Sequence, residues 1–338
     1  MGNKNEYQSV QLMRAMACVL VVLSHVPHGD IILHSDIWTT YYGIKSFVRI
    51  GVCLFLMISG YLLLDKNDDI FLFYTKRAKR VLPPFICYML LYYVLTALRA
   101  GDSLSARDFV EYFFGGGPNH MWYIFSLIGV YLFMPFLRKI FQNATTREKW
   151  TYCILWFVIC AILPFCKVIF GFKVDLTSLF TLNSFAWPLG FVFVGACLKT
   201  VTIKKKFLFG LCSFACCVAI ATITISWSFL SGEEHIELTF RHTPLYYIAA
   251  ITAFMALKDI KYSHIPYCNK VILELSTQSF GIYMSHGIIL GGLRVLHISP
   301  EYGHPLIMNL FATTAAVLIS CLVVKYAKKI PYIRHVVG

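Results

Sequence analysis

Apolar residues in this chain fall into runs of 14 to 23 positions, most of them close to the roughly 20 residues an α-helix needs to cross a bilayer. Ten such runs follow one another. They predict membrane-spanning helices at about 10–27, 48–64, 83–98, 120–137, 150–170, 182–198, 207–229, 244–257, 271–293 and 305–325. The intervening stretches are polar. One carries His28, His34 and Asp36, and a basic loop runs from Asp65 to Arg80. Pro83 and Pro84 fall where the third span should begin, a position that tolerates proline. The loop Arg99–Asn119 contains Gly115-Gly116-Gly117-Pro118. With no linker and no internal repeat, residues 1–338 read as one domain, an all-α polytopic membrane bundle of about ten transmembrane helices.

Composition supports this class. Of the 338 residues, 58% are hydrophobic and 14% charged, whereas soluble domains are nearer half and a quarter. The first run lacks a small-residue cleavage site and further spans follow it, unlike a cleavable signal. The formal charge of +13 would suggest nucleic acid in a soluble protein. In a polytopic chain it reads as basic loops that set topology, and no nucleic-acid partner is expected. Ten spans place both termini on one side. Of the 30 Lys and Arg residues, 22 fall on that side, while eight (Lys45, Arg49, Arg99, Arg107, Lys167, Lys173, Arg241 and Arg294) fall on the other. The positive-inside rule then makes both termini cytoplasmic, in a multi-pass protein of the inner or plasma membrane. The 12 cysteines are scattered, without CxxC or metal-ligand spacing. They read as small core hydrophobes, and no metal is expected.

The candidate chemistry begins in the first span. Arg14 and His25 are eleven residues apart, three turns plus roughly 20°, so they share a helix face and are separated by about 16 Å of rise. Ionisable groups within a span are costly and are candidates for function. His25 suits general base work near neutral pH, or else is a hydrogen-bonded bundle histidine. Arg77 and Arg80 lie three apart on one face and can grip a phosphate, or else belong to an ordinary positive-inside loop. Arg49 is a cation at the other edge of the second span; it either snorkels or lines a cavity near His25. Ser59 and Gly60 permit close helix packing. Trp122 and Tyr123, just after His120, serve as interface anchors or stack a sugar ring. Tyr283 and His286 lie at i, i+3 on one face of the ninth span.

Taken in order, these elements resemble membrane acyltransferase family 3, the integral membrane O-acyltransferases of bacterial surface glycans. The resemblance rests on Arg14 with His25, Arg49 with Gly51-Val-Cys-Leu-Phe and Ile58-Ser-Gly-Tyr61, Arg77 and Arg80 before Leu82-Pro-Pro-Phe, His120-Met-Trp122, and Gly281-Ile-Tyr-Met-Ser-His286. It implies transfer of an acyl group, usually acetyl, from cytoplasmic acyl-CoA to a hydroxyl of a surface or lipid-linked polysaccharide. Arg14, Arg77 and Arg80 would hold the CoA phosphates and His25 would act as the base, with Arg14, Arg49 and Tyr283 as further catalytic candidates and Arg49 or Tyr283 on the oxyanion. His120, Trp122 and His286 would bind the acceptor. Direct attack and an acyl-histidine relay are both open. The expected partners are acyl-CoA, a glycan or lipid-linked glycan, and the bilayer. The alternatives are a glycan or lipid transporter or flippase, which predicts inverted repeats and broken helices, and a membrane scaffold without chemistry.

Overall fold

The computed structural model describes residues 4–29, 32–171, 187–235, 243–262 and 266–338. Among these there is no strand; the elements are helical. They are α1 (Lys4–Ser24), α2 (Asp36–Val48), α3 (Ile50–Leu63), α4 (Ile70–Ala100), α5 (Ala106–Phe114), α6 (Trp122–Asn143), α7 (Thr146–Phe157), α8 (Leu163–Phe170), α9 (Trp187–Cys197), α10 (Lys206–Ser231), α11 (Pro244–Leu257), α12 (Pro266–Val295) and α13 (Pro305–Ala327). Eight stretches among the described residues are long and apolar enough to cross a membrane, and α9 and α11 are shorter apolar helices. Each of these ten overlaps one of the ten predicted spans, and eight of them are long enough to cross. The protein is a multi-pass membrane helical bundle. At 11 and 14 residues, α9 and α11 are about 16 and 21 Å long, short of a hydrocarbon core of about 30 Å. The beginning of the predicted sixth span, 182–186, lies outside the described residues, as do Lys173 and Arg241.

Three boundaries differ from the sequence reading, each for a local reason. The basic loop is helical. Asp69 caps the start of α4 by accepting from the Leu72 amide at 2.9 Å, and the helix runs 31 residues to Gly101, whose φ of +76° closes it. Arg77 and Arg80 therefore lie in its first three turns, and Pro83 and Pro84 lie inside the helix. Their missing N–H groups leave the carbonyls of Lys79 and Arg80 without α-helical donors. The second span begins earlier, because Ser35 accepts from the Trp38 amide and starts α2. It joins α3 at Arg49, which both ends one helix and begins the other. The loop after Arg99 contains α5, capped by Ser105.

A single turn of π-helix, Val158–Ile162, joins α7 to α8. Pro164 has no N–H to offer the Cys160 carbonyl, and the Tyr247 hydroxyl donates to that oxygen instead, at 2.7 Å. Such repairs are what let proline sit inside membrane helices.

The core forms where α1 packs on α3 and α12, and α3 on α9. The α3–α9 crossing is backbone on backbone. A Cβ at Gly60 would come within 1.7 Å of the Val192 carbonyl oxygen, and one at Gly195 within 2.1 Å of that of Met57. Small residues allow this approach where no water drives the helices together.

Candidate active site

Two cavities meet inside the bundle. The first, of about 300 Å³, is lined by Arg14, Lys66, Arg77 and Arg80, together with Phe55, Tyr123, Tyr131 and Tyr283. Among the described residues, four cations and no acidic side chain line it. Arg77 lies 5.4 Å from the rings of both Phe73 and Tyr131, and its buried Nε has no hydrogen-bond partner among the described residues. Guanidinium groups stacked on aromatic faces keep their donor edges for an anion. Arg14 is midway along α1 rather than at its end, so this cationic group is recessed into the helix bundle.

The second cavity, of about 370 Å³, is lined by Ser24, His25, Lys45, Val48, Arg49, Val52, Trp122, Trp187, Tyr246 and Tyr283. Tyr283 lines both cavities. Its hydroxyl donates to the His120 carbonyl, so the ring is tethered across the boundary. In this arrangement its proton is engaged by that carbonyl.

His25 stands where α1 stops. Val26 precedes Pro27, a context that disfavours helix, and the chain leaves after Ser24. The His25 Nδ1 lies 2.8 Å from the Val21 carbonyl oxygen. A carbonyl only accepts, so Nδ1 carries the proton and Nε2 keeps the lone pair. Ser24 donates its hydroxyl to the same carbonyl at 2.7 Å. The tautomer of the imidazole is thus set by the end of its own helix.

Behind His25 lie two further histidines. Its ring centroid is 5.2 Å from that of His286 and 5.8 Å from that of His120, and the latter two are 4.7 Å apart. Both are buried. The His286 Nδ1 donates to the Tyr283 carbonyl at 2.6 Å, so its Nε2 is likewise unprotonated, and among the described residues the Nε2 atoms of His120 and His286 have no hydrogen-bond partner. Gly287 makes room for the group: a Cβ there would meet the His120 ring at 2.8 Å. Among the described residues no group of three His, Cys, Asp or Glu side chains is arranged to hold a metal ion.

The structure therefore brings together His25, Arg49, Trp122 and Tyr283 at one cavity, and Arg14, Arg77, Arg80 and Tyr283 at the other. His120 and His286 back His25 and are not among the residues lining either cavity. Lys45, Lys66, Trp187 and Tyr246 line the cavities but were not singled out from the sequence. Lys45 stands four residues before Arg49, a one-face spacing on a helix. That signal was hidden because the stretch before Arg49 reads as a loop.

The model of the acyltransferase domain of acyltransferase family 3 matches residues 7–325. The chain belongs to that family and is a membrane acyltransferase. No curated protein and no solved structure matches it significantly. Of the alternatives read from the sequence, family membership supports acyl transfer rather than transport or scaffolding.

Proposed function

We propose that the protein transfers an acetyl or similar acyl group from cytoplasmic acyl-CoA to a hydroxyl of a surface or lipid-linked glycan in the inner or plasma membrane. One observation carries this reading: an imidazole of fixed tautomer lies in a cavity that shares a wall, Tyr283, with a cavity lined by four cations. The CoA phosphates occupy the basic cavity, held by Arg14, Arg77, Arg80 and Lys66. The phosphopantetheine arm extends past Tyr283 and brings the thioester to His25, along the roughly 16 Å between Arg14 and His25. Passage requires the Tyr283 ring to move.

In the direct route the acceptor hydroxyl gives its proton to His25 Nε2 as its oxygen attacks the thioester carbonyl. Arg49, lining the same cavity, neutralises the oxyanion. The C–S bond then breaks and the CoA thiolate takes the proton from the imidazolium, leaving ester and free thiol. In the relay variant His25 carries the acyl group between the two steps. His120 and His286 act as positioning residues behind His25. The Tyr283 hydroxyl, engaged by the His120 carbonyl, is the weaker oxyanion candidate.

Purified protein supplied with radiolabelled acetyl-CoA and glycans from the host envelope tests the reading. CoA release and glycan labelling are expected, and His25→Ala should reduce both by about 10²–10⁴-fold while the protein still folds, the usual contribution of a general base. Transfer by His25→Ala at the parental rate would refute the assignment.

A further inference from the structure

The cavity holding His25 has more positive charge than the proposed chemistry needs. That chemistry uses one cation there, Arg49, and only while negative charge sits on the tetrahedral carbon's oxygen. Lys45 is left over. It lies on α2 one turn before Arg49 and lines the same cavity, and among the described residues no Asp or Glu lines it. Its Nζ donates to the Ser24 carbonyl and stands 4.7 Å from the Tyr41 ring centroid. Those contacts are to neutral groups. An ammonium held in a membrane bundle by neutral groups alone is costly, and an anion arriving with the ligand offsets that cost. Part of the lining is aromatic. Trp122 and Trp187 meet edge to face with centroids 6.1 Å apart, and the Trp187 indole N–H is buried without a hydrogen-bond partner among the described residues. A pyranose presents C–H faces to aromatic rings and oxygens to donors. The volume of about 370 Å³ is within the usual range for small-ligand sites.

We propose that the acceptor bound in this cavity is an anionic glycan, a sugar bearing a carboxylate or a phosphate close to the hydroxyl that is acylated. Lys45 pairs with the anion, Arg49 stays with the oxyanion, and Trp122 and Trp187 hold the ring. The proposal rests on the reading of this cavity as the acceptor site. It assigns Lys45 a role in specificity, because a neutral sugar leaves that ammonium without a counter-charge. The donor's phosphates do not meet this need, since they belong to the arginines on the other side of Tyr283.

The test reads binding without acyl transfer. Tryptophan fluorescence of the purified protein is titrated with two matched pairs: trigalacturonate against its carboxyl-reduced neutral form, and glucose 1-phosphate against glucose. The charged member of at least one pair should bind about tenfold more tightly, the advantage expected of one charge-assisted contact. The pair that shows the preference tells carboxylate from phosphate. In Lys45→Gln the preference should fall to about twofold or less, and Lys45→Arg should keep it. Equal affinities within both pairs, no binding of any of the four sugars, or a preference unaltered in Lys45→Gln would overturn the proposal. If Lys45→Gln does not fold, the wild-type pairs and Lys45→Arg still decide it. Acetyl-CoA turnover is measured separately. Charge preference without turnover refutes the acyltransferase mechanism alone, and turnover without charge preference refutes the anionic acceptor alone.

Discussion

Arg77 and Arg80 show what a single side chain contributes here and how far the sequence reveals it. Their spacing placed them on one face, and in the structure both line the basic cavity with Arg14. Replacing either by Ala removes charge-assisted contacts worth about 1.5–3 kcal/mol. The KM for acyl-CoA should rise by roughly ten- to a hundredfold while kcat at saturation changes little. Lys at either position should restore only part of the loss, because an ammonium cannot reproduce the bidentate fork. Steady-state kinetics with varied acyl-CoA separate these outcomes, and an unchanged KM in both Ala variants would remove the arginines from donor binding. The histidines were less legible. His25, His120 and His286 read as three separate polar positions, and nothing in their spacing announced that the rings would lie within 6 Å of one another. Their association depends on α1, α12 and the turn before α6 packing together, which is tertiary information. The orientation of His25 is equally local and equally hidden, since it depends on the Val21 carbonyl accepting from the imidazole at a helix end.

Among the elements, the spans were legible because long apolar runs have few alternatives in a bilayer. Their ends were not. The start of α4 was masked by charge, and the α2–α3 junction at Arg49 has neither proline nor glycine at the break itself to mark it. The glycine contacts between α3 and α9 give the sharpest prediction at this scale. Gly60→Ala and Gly195→Ala each place a methyl group on a backbone carbonyl of the facing helix, where nothing flexible can yield. Each should lower stability by about 1–3 kcal/mol, the usual cost of overpacking, seen as a fall in Tm in detergent. Gly129→Ala is the control. That helical position has no atom within 4 Å of the new methyl, so Ala should be neutral or stabilising by up to about 1 kcal/mol. A Tm unchanged in Gly60→Ala would mean that α3 and α9 do not cross as closely as the structure has them.

At the scale of the whole molecule the two cavities form one device only if what separates them can open, and Tyr283 is the residue they share. Its position is held from both ends. The hydroxyl donates to His120, and the backbone carbonyl of the same residue accepts from His286. The ring therefore lines both compartments while the histidines behind His25 hold it there. A thioester lying beside an imidazole is open to hydrolysis whenever water reaches it, and a closed partition suppresses that side reaction. Tyr283→Ala should join the cavities and raise CoA release in the absence of acceptor, while transfer to glycan falls. Tyr283→Phe keeps the ring and loses one hydrogen bond, worth about 1 kcal/mol, so its acceptor-independent release should stay close to the parental level. Comparing thiol release with and without acceptor across the three proteins tests this. If Tyr283→Ala hydrolyses acyl-CoA no faster than the parent, the aromatic ring is not what keeps water from the thioester, and the boundary must be made by the backbone of α12 itself.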